Sequence, residues 1–354
     1  MGTPAAAIPY DSYTYDYWNM MVPAPHAYVP AQVIYGQDIG VGSFKTPHDI
    51  FVAENNHIYL VDTGNNRIIH MDSDWNVLRV ITEFDNQGKA DKFNTPRGIH
   101  VAANGDMYIA DRENGRIVIL DHAGQLVRII TSPVETQPEL FTSDFRFRPD
   151  KISVDSYGSI YVISMGVYDG IMEFDQFGYF QGFVGAPKVN PTVADYIWRL
   201  IGTEAQKERM KLFLPVEHSN LHVDNRGFIY ATAIGGEITP EEKIRRINTA
   251  GADRLMRIET SPPVGDLTND TLSVFVDVVS RENDIYSVLD RTDGRIYTYS
   301  FNGDLLYAFG AIGDVDGAFR NPSGMTELDG KLIVVDAIKN SITVFAPTPY
   351  QRLI

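Results

Sequence analysis

Residues 58–72 read "IYLVDTGNNRIIHMD" and residues 107–121 read "MYIADRENGRIVILD". Each is an apolar run, a polar turn holding Asn or Gly, and a second apolar run. That is the pattern of two strands joined by a tight hairpin. The two stretches match in length and in the placement of Asp, Asn or Gly, and Arg, so duplication is the first thing to test. Repeats at a fixed period decide an architecture before any single motif does.

Extended outward, the unit becomes an apolar strand, a Gly or Asn turn, "IYxxD", a polar turn, "RIxxxD", another turn and a fourth strand. Copies start at Pro47, Pro96, Pro149, His218 (resuming at Lys243), Asn283 and Pro322. Tyr59, Tyr108, Tyr161, Tyr230, Tyr286 and Ile333 mark steps of 49, 53, 69, 56 and 47 residues. Units of about 40–50 residues with four short strands predict propeller blades. The expected fold is all-β, a six-bladed propeller.

The long step holds residues 189–214, where strand alternation gives way to helical spacing. Val193, Ile197, Leu200 and Ile201 recur at i, i+4, i+7 and i+8, and Thr192 with Asp195 and Thr203 with Gln206 form capping pairs. Two short helices are expected there, between blades three and four. The sixth copy has only three strands. "AQVIYGQDIG" from Ala31 resembles fourth strands such as "LLYAFGAIGD" from Leu305, so the N-terminus is expected to complete the last blade and close the ring. The domain reading is therefore an irregular lead-in over 1–30, the propeller over 31–350, and residues 351–354 as the end of a truncated ectodomain. Met1 to Thr3 read as cloning residues joined to a mature N-terminus.

The pattern P-x-G-I-x-V, then G-x-I-Y-V-A-D, then N-R-I-x-x-F, clearest in the first two copies, resembles NHL repeats over roughly residues 47–347. NHL domains are six-bladed propellers, in agreement with the count. They serve RNA binding, protein binding, lactonase and lyase chemistry, so the resemblance implies a fold rather than an activity. A narrower resemblance lies in "YDSYTYDYWNMMVPAPHAYVP", "YIWRLIGTEAQKERM" and "FAPTPYQRLI", which are similar to Gram-positive surface proteins. In those an NHL ectodomain precedes helical repeats and a Yip-type membrane domain. This resemblance implies an extracellular or cell-surface location, with a signal peptide removed.

Composition narrows the partners. The 354 residues carry a formal net charge of −16, which on average repels nucleic acid and anionic membranes. There is no cysteine, hence no disulfide, thiolate metal site or thiol nucleophile. No apolar run approaches the roughly 20 residues of a membrane span. A monomer is expected.

In a propeller the first strand of each blade lines a central channel. The loops joining strand four to the next strand one share a face with those joining strands two and three. Aligned inner strands give one layer of Asp49, Gly98, Lys151, Asn220, Asp277 and Gly324. Two residues further on come Phe51, His100, Ser153, His222, Val279 and Thr326, and one residue earlier His48, Arg97, Asp150, Ser219, Val276 and Ser323. Asp49, Asn220 and Asp277 are hard oxygen donors from three blades, suited to Ca²⁺ or Mg²⁺, and gluconolactonase-like propellers are similar in placing such ligands about one channel ion. An inward Lys151 argues instead for an internal ion pair. The competing reading is that these residues only pin and hydrate the channel.

His48, His100, His218 and His222 lie near inner strands. NHL-containing amidating lyases hold zinc through histidines of several blades, but their spacing is absent here, and ordinary hydrogen-bonded histidines are the simpler reading. "DTGNNR", "DRENGR" and "DRTDGR" pair Asp62, Asp111 and Asp290 with Arg67, Arg116 and Arg295. Recurrence of that kind marks architecture, because one active site needs no copies. Tyr168, Tyr196 and Trp198 offer rings for stacking on a sugar, with Trp198 equally placed for a helix core. No nucleophile elbow, phosphate loop, H-E-x-x-H or EF-hand loop occurs.

The expected function is non-catalytic recognition of a protein, peptide or glycan on the loop face, at Asp49, Arg97, Asp150, Lys151, Tyr168, His218, Asn220 and Asp277. The alternative is a divalent-metal hydrolase or lyase at the channel mouth, lactonase-like or amidating-lyase-like, with Asp49, Asn220 and Asp277 on the metal. Blades three and four break the repeat at "ISMGVYDG" and "TAIGGEITPEEK", so a ligand site is expected beside them.

Overall fold

The computed structural model describes residues 8–141, 145–168, 170–185, 217–235, 239–257, 263–267, 273–281 and 284–354. Six antiparallel sheets surround a channel, and each is built from the first strand inside to the last outside. Blade one holds Asp49–Val52, Ile58–Asp62, Arg67–Met71 and Val77–Ile81. Blade two holds Pro96–Val101, Met107–Asp111, Arg116–Leu120 and Leu126–Ile130. Blade three holds Pro149–Val154, Ile160–Ser164, Ile171–Phe174 and Phe180–Val184. Glu217–Val223, Ile229–Ile234 and Ile244–Ile247 are the strands of blade four among the described residues. Blade five holds Phe275–Ser280, Tyr286–Asp290, Arg295–Tyr299 and Leu305–Phe309. Blade six holds Pro322–Leu328, Lys331–Asp336 and Ser341–Pro347, and its outer strand is Tyr28–Tyr35 from the N-terminus.

That N-terminal strand pairs antiparallel with Ser341–Pro347 along its length, so the ring closes by hydrogen bonds between chain ends. Residues before it are more regular than an irregular lead-in. Tyr13–Tyr15 and Met21–Pro23 form a hairpin that adds to the outer edge of blade five through Tyr13 and Ala308. The helices expected over 189–214, with Tyr196 and Trp198, lie outside the described residues. Among those described, the one α-helix is Pro240–Lys243.

The opening motif is explained by backbone geometry. Asn66, Gly115, Gly294 and Asn340 occupy the same place in four hairpins and have φ of 53°, 62°, 62° and 53°. Asn and Gly tolerate that left-handed conformation best, hence "NNR", "NGR", "DGR" and "KNS". The aspartate ending strand two accepts the backbone N–H of the loop that enters its blade. Asp62 takes Lys45 at 2.7 Å, Asp111 takes Asn94 at 2.7 Å, Asp290 takes Val274 at 2.9 Å and Asp336 takes Arg320 at 2.6 Å. Ser164 does the same for Arg148 at 3.0 Å in blade three. Arg67 and Arg116 close on Asp62 and Asp111 at 2.7 and 2.8 Å. Arg295 instead lies over the Tyr13 ring, 5.0 Å from its centre, because the N-terminal hairpin reaches it.

Pairing of Asp290 with Arg295 matches that of Asp62 with Arg67, so Ser287, not Tyr286, stands where Tyr59 does. Apolar side chains fill the spaces between blades. Val61, Ile68, Ile99, Ile109 and Val118 join blades one and two, and Tyr28, Phe309, Phe319 and Phe345 join blades five and six.

Candidate functional site

A repeated irregularity shapes the channel. Pairing of strands one and two skips one residue between Pro96 and Gly98, Pro149 and Lys151, His218 and Asn220, Phe275 and Asp277, and Pro322 and Gly324. Such a bulge re-aims the extra side chain. The skipped residues are Arg97, Asp150, Ser219, Val276 and Ser323. With His48 they all line a cavity of about 190 Å³ at the loop-face mouth.

Below that ring lies a buried layer. Lys151 is 3 % exposed and its Nζ donates to Asp49 Oδ1 at 2.7 Å. Asp49 Oδ2 accepts the Ile99 N–H at 2.9 Å, and Asp277 accepts the N–H groups of Val278 and Met325, each at 2.7 Å. Asn220 Nδ2 donates to the Val276 carbonyl at 2.9 Å. Each acid reaches the inner strand of the next blade. Gly98 and Gly324 let inner strands approach closely: a Cβ on Gly98 would stand 2.7 Å from the Asp150 carbonyl oxygen of blade three, and one on Gly324 3.0 Å from the His48 carbonyl oxygen of blade one.

The ionisation of this layer follows from its burial. Burial alone would lower Lys151, but Asp49 and Asp277 outweigh it and the ammonium is held above its usual range. Burial pushes Asp277 up to about 7, Lys151 opposing and Asp49 adding to it. The layer itself, Asp49, Lys151, Asn220 and Asp277, faces a second cavity of about 210 Å³ towards the opposite end of the channel, which His100 and His222 also line. Burial, then mutual repulsion, takes His100 to about 3, and burial takes His222 to about 4.

The set Asp49, Asn220 and Asp277 does not suit Ca²⁺ or Mg²⁺, which gather six or more oxygens. A lysine ammonium and three backbone N–H groups already use the carboxylates, and Asn220 presents its amide nitrogen to a carbonyl. The four histidines are divided between the two ends of the channel. Among the described residues, no three His, Asp or Glu side chains converge as metal ligands.

At the mouth, Asp150 Oδ1 accepts from Arg97 Nε and Arg112 Nη1, both at 3.0 Å. Burial would raise the Asp150 carboxyl, yet Arg97, His48 and Arg112 outweigh it and hold it at about 2. Arg112 continues to Glu113, and Glu113 to Arg148. Burial and the nearby Arg97 keep His48 neutral, well below its usual range. His218 is 6 % exposed and neither ring nitrogen meets hydrogen-bond geometry. Backbone groups of Thr232 and Gly185 favour its charged form, but burial and Arg245 prevail and hold it at about 4.

Of the residues singled out in the sequence, Arg97, Asp150 and His218 meet at the mouth, and Asp49, Lys151, Asn220 and Asp277 form the layer beneath. Tyr168 is half-exposed in the blade-three turn and does not line the cavity. Sequence reasoning missed Arg112, Met165, Ile234 and Arg291, which all line it. They share one position, the residue after the strand-two partner of the pair that precedes the bulge, where blades one and six carry Thr63 and Ala337. The signal was present as variation within "DT", "DR", "SM", "AI", "DR" and "DA".

An NHL repeat model matches residues 93–120, which cover most of blade two. The chain is a six-bladed β-propeller carrying an NHL repeat. No curated protein sequence matches it. Among solved structures, it is similar to a streptogramin B lyase at 14% identity and TM-score 0.51, over 95% of this chain and 86% of that one. A catalytically inactive virginiamycin B lyase from Staphylococcus aureus with quinupristin aligns at 11% identity and TM-score 0.53, over 97% of both chains. The extracellular domain of a hybrid two-component system from B. thetaiotaomicron aligns at 11% and 0.50, over 93% of this chain and 37% of that one. At these identities the likeness is one of fold.

Proposed function

We propose that this propeller is a non-catalytic recognition module whose site is the loop-face channel mouth. The observation that carries the reading is the split of one structural position into two chemistries. At the end of strand two, blades two and five present Arg112 and Arg291, while blades three and four present Met165 and Ile234. A position that only turned the chain would not need long side chains aimed at a common cavity. Blades three and four are also those that break the repeat. Mixed apolar and polar linings of this kind serve ligands.

Within this reading the ligand is a protein, peptide or glycan, and the module works at a bacterial cell surface. Its support there is the resemblance to Gram-positive ectodomains, the absence of cysteine and the fold likeness to an extracellular sensor domain. The hydrolase or lyase alternative needs a metal or a base that accepts protons near neutral pH. His48 and His218, the histidines at the mouth, are held neutral far below that, and Asp277, pushed up to about 7, lies buried beneath the mouth with its oxygens on the Val278 and Met325 N–H groups. A combined glycan and peptide array, run with the protein and with an Arg291→Gln variant, tests the proposal. The expected result is a hit set that the variant weakens. Hits unaffected by Arg291→Gln, or none above background, overturn it.

A further inference from the structure

The mouth is asymmetric in a way that specifies its ligand further. In a six-bladed ring, blades two and five face each other, so Arg112 and Arg291 stand on opposite sides. They differ in commitment. Arg112 is tied to Asp150 and Glu113. Arg291 is exposed, and its guanidinium has no hydrogen-bond or ion-pair partner among the described residues. Moving round the ring from Arg291, the wall is Ile234 on blade four, then Met165 and Ile163 on blade three. His218, nearly all buried, lines the cavity on that arc. Glu217 is occupied by the Gly166 N–H at 2.9 Å. On the other side, Asn321 and Ser323 are small and polar, and Ser323 donates to the Pro47 carbonyl at 3.0 Å.

Resting on the recognition site just described, we propose that the mouth takes a small amphiphilic monocarboxylate. Its acid group pairs with Arg291, and its apolar body lies against Ile234, Met165 and Ile163. A free guanidinium binds a carboxylate through two parallel N–H···O bonds, and Lys would not replace that fork. The arginines Arg97, Arg112 and Arg291 outnumber the acids Asp150 and Glu217 in the lining, against a chain of −16. A cavity of about 190 Å³ admits one residue-sized group rather than an extended chain. Such a carboxylate comes from a peptide end with an apolar last residue or from a short fatty acid.

The test uses methyl-labelled methionine in the 354-residue protein, with NMR of the Met165 methyl as the readout. N-acetyl-leucine, N-acetyl-leucinamide and octanoate are titrated in turn. At least one acid is expected to shift Met165 without shifting Met256, which is exposed away from the mouth. Replacing the acid by the amide, or Arg291 by Gln, is expected to weaken binding at least about tenfold, the loss typical of a charge-assisted hydrogen bond. The stronger of N-acetyl-leucine and octanoate identifies the source. An amide that binds as well as the acid overturns the carboxylate assignment and leaves the mouth as a site. Met165 unmoved by every probe but moved by an array-selected ligand does the same. Met165 unmoved by both removes the recognition site as well.

Discussion

Replacing Lys151 with Met removes the one cation from a layer that holds two buried acids. Lys151 and Asp49 are 3 % and 8 % exposed, with Nζ and Oδ1 2.7 Å apart. At that separation the attraction is about 6 kcal/mol for an effective dielectric of about 20. Methionine keeps most of the aliphatic volume, so packing changes little. Breaking one side of a buried pair leaves an uncompensated charge and costs roughly 3–5 kcal/mol. Without Lys151 the Asp277 carboxyl is pushed further up, since burial and the Asp49 charge remain. A carboxyl raised in the folded state penalises folding increasingly as pH climbs from its unfolded to its folded pKa. The deficit of Lys151→Met is therefore expected to be clearly larger near about pH 8 than near about pH 5. Urea unfolding of both proteins at the two pH values measures it. A double variant with Asp49→Asn is expected to recover most of the loss, because removing both partners is far milder than removing one. A single variant within about 1 kcal/mol of the parent at the higher pH would refute the buried pair, as would a deficit indifferent to pH.

Asp277 carries its own pH signature: near 7 folded and 3.8 unfolded, its contribution to stability falls as pH rises between those values, against the larger rise contributed by His100, His218 and His222, which burial holds near 3, 4 and 4. Asp277→Asn is expected to steepen the net rise of stability with pH across that window, and urea midpoints across it check the change. Gly98→Ala sets a Cβ 2.7 Å from the Asp150 carbonyl oxygen and is expected to cost about 1–3 kcal/mol by overpacking, read from the same unfolding curves. Deleting residues 1–35 strips the outer strand of blade six and exposes its Ser341–Pro347 edge. Aggregation or a molten, dye-binding state is expected in light scattering and dye fluorescence. Arg291→Gln is expected to leave the unfolding midpoint within about 0.5 kcal/mol, since the side chain is exposed.

The blade count, the strand-two hairpins and the N-terminal closure were legible because each rests on a local rule. Left-handed Asn66 and Gly115 announce their turns, and alternation announces the strands. Channel layers were legible too, since strand periodicity carries a register from one copy to the next. What those layers do was not. Nothing local tells that Asp49 reaches Ile99 over Gly98, or that Lys151 crosses from blade three to blade one. Those contacts join residues 50 and 102 positions apart. Arg112 and Arg291 were hidden for a different reason. They follow aspartates with a plain architectural duty, and Asp–Arg pairing drew attention to Arg116 and Arg295 instead. Where the copies differ, "ISMGVYDG" and "TAIGGEITPEEK" did point to the stretches that hold Met165 and Ile234.

The central claim is that ligand recognition occurs at the loop-face mouth. A structure of the protein with an array-selected ligand tests it most directly. The account predicts that ligand against Arg291, Ile234 and Met165, with the Lys151–Asp49 pair intact beneath it. Ligand seated at the opposite end, against His100 and His222, or on a blade edge with the mouth untouched, would contradict it.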